Sequence, residues 1–226
     1  MHFERHSHRN AIQILENDPD YRVFWTEISE AINSITEEDL ITLFKANYEG
    51  KQKSISKAIN QLLKVELTKR GWIAEPRIFG EVGYSDKKRD KKWRLDFAKS
   101  IGSHTERELE VNLEPTPGIA IEVAFNNDGS TAWNLIKPVL AGELNHVKKE
   151  TQVGLGIIVC VTEELKRDGG FDNTVGSIDD FKMHLRAMRN ILTIPMVIIG
   201  LKTFDTFKID VIPDSNKTKR GYVRML

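Results

Sequence analysis

Two stretches of the chain alternate between apolar and other residues. In residues 118–127, Ile119, Ile121, Val123 and Phe125 alternate with Ala120, Glu122 and Ala124. In residues 93–98, Trp93, Leu95 and Phe97 fall on one side and Arg94, Asp96 and Ala98 on the other. A period of two predicts strands with one buried face. Neighbouring strands of this kind could present Asp96 and Glu122 from a shared polar face.

Elsewhere the apolar period is helical. Pro19 and Asp20 introduce a helix whose stripe is Phe24, Ile28, Ala31, Ile32 and Ile35. A second helix is predicted over about 54–70, with Ile55, Ile59, Leu62, Leu63 and Leu67 inward and Gly71 as its stop. Residues 72–84 read as a strand. After Phe125, Trp133, Ile136, Leu140, Leu144 and Val147 recur at helical spacing, with Pro138 as a kink or break. Residues 154–162 are nearly all apolar and suit a central strand buried on both faces. Ser177 and Asp180 form the start of a helix carrying Ile178, Phe181, Leu185 and Met188 inward, with Met183 also expected as core filling. Residues 195–200 form the next buried strand. The order of helices, strand meander and strand–helix–strand alternation predicts an α/β fold: a mixed central sheet flanked by helices on both faces, in one domain over 1–226. From about residue 213 the chain is basic (Lys217, Lys219, Arg220, Arg224) and reads as an arm.

Composition narrows the class. The chain has 226 residues, 40% hydrophobic and 29% charged, as an ordinary globular protein has. No run approaches a membrane span, and the start lacks a signal-peptide apolar region. The single Cys160 lies in an apolar run, which excludes a disulfide framework within one chain and fits a reducing, intracellular setting. Formal net charge is zero, so any DNA-binding face is a local patch. The densest basic cluster is residues 85–92, with Lys87, Lys88, Arg89, Lys91 and Lys92. It reads either as a solvated hairpin tip or as a grip on a DNA backbone. His2, His6 and His8 read as surface imidazoles.

Candidate chemistry centres on the carboxylates. Asp96 and Glu122 converging on one face are what an oxygen-seeking ion such as Mg²⁺ needs; a solvated pair is the alternative. There is no Walker-type phosphate loop and no nucleophile elbow, and Cys160 inside a strand makes a poor nucleophile.

Four segments in order carry a family resemblance: His6-Ser-His-Arg-Asn10 with Phe24-Trp-Thr-Glu-Ile28, the helix from Ala58 to Trp72, Ile121-Glu-Val-Ala-Phe125, and Ile194-Pro-Met-Val-Ile-Ile-Gly200. The chain resembles the type II restriction endonucleases of the BamHI/BglII/BstYI branch of the PD-(D/E)xK nuclease superfamily. That resemblance implies a restriction-endonuclease-like fold and a cytoplasmic prokaryotic enzyme of a restriction-modification system. It also implies Mg²⁺-dependent cutting of a short palindrome in double-stranded DNA by a homodimer. The dimer face would come from N-terminal helices or from the helix after Phe125. By the same resemblance Asp96 and Glu122 hold the metal, and Glu81 matches a further acidic or amide position. Asn126 and Asn127 match a segment that enters the major groove, where amides pair with adenine, and Ser130 and Thr131 could reach bases or phosphates.

The chain departs from the family at Ala124, where Lys, Glu or Gln is usual. A methyl group neither orients a water nor accepts its proton. Three explanations stand: a group arriving from elsewhere, with Lys137 a candidate; a naturally inactive DNA-binding protein; or a deliberate inactivating substitution. A repair or structure-specific nuclease is a further reading. The longer interval between Asp96 and Glu122, residues 101–117, predicts an inserted hairpin or loop.

Overall fold

The apolar run at 153–161 is the middle of the sheet. The computed structural model describes residues 1–79, 93–100, 118–143 and 151–226. Its six-stranded sheet runs in the order β1 (Phe3–His8), β6 (Met196–Leu201), β5 (Val153–Val161), β4 (Gly118–Val123), β3 (Phe97–Lys99), β2 (Ile73–Ala74). β4, β5 and β6 are mutually parallel, and β1 and β3 pair antiparallel to them at either side. Leu155, Ile157, Val159 and Val161 of β5 enter one apolar cluster, and Ile158 and Cys160 enter the other. Both faces of this strand are therefore covered, as parallel sheets require.

Helices lie on the two faces. The first cluster is completed by α1 (Ala11–Asn17), α2 (Pro19–Asn33), α3 (Glu37–Asn47), α4 (Ser56–Lys69) and α6 (Glu163–Asp168), the second by α5 (Thr131–Gly142) and α7 (Ile178–Ala187). Asp18 caps α2 by accepting the Asp20 N–H, with Pro19 at the first helical position. Its buried stripe is the predicted one from Phe24 to Ile32, and Ile35 is buried just beyond the helix end. Helix α3 was not anticipated. Its core anchors, Leu40 and Phe44, are sparse, and its start rests on the reciprocal Thr36–Asp39 cap and three acidic residues in the first turn. In α7, Ser177 donates to Asp180 as expected, through both N–H and Oγ–H.

Several expectations are corrected. The histidine-bearing start is strand β1, and His8 is buried with its Nε2 3.1 Å from the Leu192 carbonyl. Met183 is 59% exposed rather than in the core. The basic stretch from about 213 includes a strand. β7 (Phe207–Pro213) and β8 (Lys219–Met225) pair along their whole length. β8 docks on the 49–53 loop, with Gly50 N–H donating to Gly221 O and Gly221 N–H to Gln52 O. A Cβ on Gly221 would lie 2.4 Å from Lys53 O, so glycine allows that approach. Among the described residues no helix is long and apolar enough to cross a membrane.

Candidate active site

The alternation at 93–98 breaks at Asp96. Phe97 enters the first cluster, whereas Leu95 and Ala98 enter the second, beside the partly buried Trp93. Leu95 and Phe97 therefore face opposite ways, contrary to the simple period. The chain bends at Asp96, and only Phe97–Lys99 forms strand β3. The bend is held from β4, because Val123 N–H donates to Asp96 Oδ2 at 2.7 Å. β3 and β4 pair Phe97 with Ile121 and Ala98 with Ala120, and continuing that register sets Asp96 opposite Glu122.

Glu122 belongs to β4 and is almost sealed, at 1% exposure. Its Oε2 is ion-paired with Lys137 Nζ from α5, whose side chain is 12% exposed. Its Oε1 is buried and has no hydrogen-bond partner among the described residues. Burial raises the Glu122 pKa from 4.5 to about 8; Asp96 adds to the rise and Lys137 opposes it. The ion pair and the desolvation pull in opposite directions, and desolvation prevails. Burial likewise raises Asp96, against the Val123 hydrogen bond and Lys137, while the charge of Glu75 adds to the rise.

Lys137 reaches Glu122 because α5 lies close to the sheet. A Cβ on Gly156 of β5 would be 2.8 Å from the Cβ of Pro138, the next residue of that helix. Pro138 is thus a packing point inside a continuous α5, and the expected break does not occur there.

Asp96 opens on a cleft of about 170 Å³ bordered by Asn60, Lys64, Ala74, Glu75, Phe97 and Val123. Glu75 was missed from the sequence. It sits in the left-handed region at φ 55°, a rare conformation for a side-chain-bearing residue. Glu75 N–H donates to the Asp96 carbonyl at 2.9 Å, Arg94 donates to the Glu75 carbonyl at 2.6 Å, and Lys64 pairs with its carboxylate at 3.6 Å. An acidic residue between a short strand and Pro76 was the available signal.

The donor set suits a hard divalent cation: one carboxylate at the bend before β3 and one on β4, the latter with a buried oxygen that has no hydrogen-bond partner among the described residues. Ala124 is buried at 2% on the Glu122 side of β4. Asn126 and Asn127 are exposed, although Asn127 Oδ1 already accepts the Gly129 N–H at 2.9 Å. Ser130 is half-buried. Thr131 is a correction: it is 1% exposed, under Gly176, whose Cβ would lie 2.8 Å from Thr131 Oγ1. Glu81 and the cluster Lys87, Lys88, Arg89, Lys91 and Lys92 lie outside the described residues, as do Leu144 and Val147.

Residues 3–201 match the family model of restriction endonuclease BglII/BglIII. A crystal structure of restriction endonuclease BglII complexed with a DNA 16-mer superimposes with a TM-score of 0.60 at 17% identity, covering 100% of both chains. A crystal structure of free BglII is also similar, at a TM-score of 0.46 and 12% identity over 100% of both chains. No curated protein sequence matches significantly. The fold is that of BglII, and with the family model spanning most of its length the chain belongs to the BglII family of restriction endonucleases.

Proposed function

We propose that this protein is a Mg²⁺-dependent type II restriction endonuclease that cuts a short palindromic site in duplex DNA as a homodimer. The observation that carries the reading is the position of Asp96, at the bend before β3, opposite Glu122 of β4 in the continued register, with Glu122 Oε1 lacking a hydrogen-bond partner among the described residues. The DNA named in the BglII crystal structure supports the same substrate here.

Asp96 and Glu122 would hold the metal, which when bound supplies charge relief on the phosphate and a more acidic water. In the reaction a water oxygen bonds to phosphorus as the P–O3′ bond breaks, and the departing O3′ takes up a proton. The exposed Asn60 and Lys64 border the cleft beside Asp96 and are suited to phosphate oxygens. Asn126, Asn127 and Ser130 are assigned to the DNA face, and so are Lys87, Lys88, Arg89, Lys91 and Lys92. A role for Glu81 rests on the resemblance alone; Glu75 is the carboxylate that adjoins Asp96. Two-fold symmetric action follows from a palindromic site, each subunit cutting one strand.

A second reading, a DNA-binding protein of this fold that has lost cutting, is favoured by one observation: position 124 is a buried methyl. The test is cleavage of duplex DNA with Mg²⁺ by the unchanged chain, Asp96→Asn and Glu122→Gln. We expect cutting by the first alone, with DNA binding kept in all three. Full activity in both variants would contradict the site assignment, and metal-independent binding without cutting by the unchanged chain would favour the second reading.

A further inference from the structure

We propose that Lys137 is a catalytic residue of this site, delivered from helix α5, whose ammonium serves the phosphate being cut. The inference rests on the nuclease reading above and goes beyond it by naming a cation that the strand itself does not carry.

Three observations support it. First, Lys137 is ion-paired with Glu122, and the two side chains are only 12% and 2% exposed. Sequestering an ammonium beside a carboxyl group costs desolvation, and an apolar pair of similar volume is often as stable or more so. Stability alone is a weak reason for a lysine here. Second, the lysine is aimed by packing. Gly156 lets Pro138 lie against β5, which brings the preceding residue over the Glu122 side of β4. Third, Ala124 is on the same side of β4, and its methyl leaves that face without a polar group two residues beyond Glu122.

An ammonium has three N–H donors and no acceptor. In the free protein Lys137 directs them to Glu122 and, at 3.4 Å, to the Arg94 carbonyl, the residue two before Asp96. It therefore spans the chain segments that carry both carboxylates. With a phosphodiester bound against the Asp96–Glu122 pair, Lys137 donates to a non-bridging oxygen and offsets the negative charge that grows there as water adds to phosphorus. Lys137 needs no oxidation, covalent bond or proton loss to do this.

The test compares the unchanged protein with Lys137→Met and Lys137→Gln, by single-turnover cleavage of duplex DNA with Mg²⁺ and by calorimetric titration with Mn²⁺ in the absence of DNA. We expect cleavage to fall about 10²–10³-fold in both variants, the loss typical of removing one charge-stabilising donor, while Mn²⁺ affinity stays the same or tightens because a competing cation is gone. Cleavage within tenfold of the unchanged protein would overturn the inference. Parallel loss of cleavage and Mn²⁺ binding in both variants would also overturn it, because Lys137 would then only hold Glu122 in place. If the unchanged protein binds Mn²⁺ and DNA yet never cuts, the nuclease reading itself fails, and this inference with it.

Discussion

Val123 N–H donates to Asp96 Oδ2 at 2.7 Å, and this one bond ties the bend before β3 to β4. It turns Leu95 and Phe97 to opposite clusters and sets the Asp96 carboxylate against the strand that bears Glu122. The carboxylate pair is thus built by main chain as much as by side chains, which is a rigid way to hold a site.

The raised Glu122 pKa makes a prediction about stability. Its native value is about 8 against an ordinary 4.5, so the folded protein keeps a proton that the unfolded chain releases. This contribution is present in full below pH 4.5, is lost as pH rises towards about 8, and stays lost above that. Metal-free protein should therefore lose thermal stability between pH 5 and 8, and Glu122→Gln should flatten the decline. An unchanged slope in that variant would assign the titration elsewhere.

The same proton must leave before a metal can use both Glu122 oxygens. Below the Glu122 pKa, divalent-ion affinity should rise with pH by up to about tenfold per unit, the signature of one proton released on binding. Calorimetry with Mn²⁺ in buffers of different ionisation enthalpy measures that proton directly. A pH-independent affinity would mean that Glu122 is already ionised in the free protein.

The close contact between Gly156 and Pro138 gives a structural lever. Gly156→Ala would put a methyl 2.8 Å from the Pro138 ring and push α5 from the sheet. We expect a loss of about 1–3 kcal/mol in stability, as for other overpacked cores, and slower cleavage as Lys137 is drawn from Glu122. Wild-type stability with wild-type cleavage would show that α5 has slack here.

Much of this was legible from residue patterns. The alternation at 118–125 is β4, the apolar runs are β5 and β6, and the stripe of Phe24, Ile28, Ala31 and Ile32 is the buried face of α2. Asp96 and Glu122 were legible as a pair, but for a reason that fails in detail, because periodicity carried the strand through a bend that a distant N–H creates. β1 was hidden because it is an edge strand of mixed polar residues, specified by pairing with β6 nearly two hundred residues away. Glu75 was hidden because a left-handed backbone and a tertiary hydrogen bond, not its neighbours in sequence, bring it to Asp96. Lys137 was legible as a candidate for a group arriving from elsewhere, but its pairing with Glu122 depends on the depth of helix packing.

The most direct measurement is digestion of a sequenced phage genome by the unchanged protein with Mg²⁺ at low salt, with every fragment end mapped, beside the Asp96→Asn variant. The account predicts discrete ends at one short palindrome, symmetric on the two strands, and none from the variant. Ends scattered without sequence preference, or the same ends from Asp96→Asn, would contradict it.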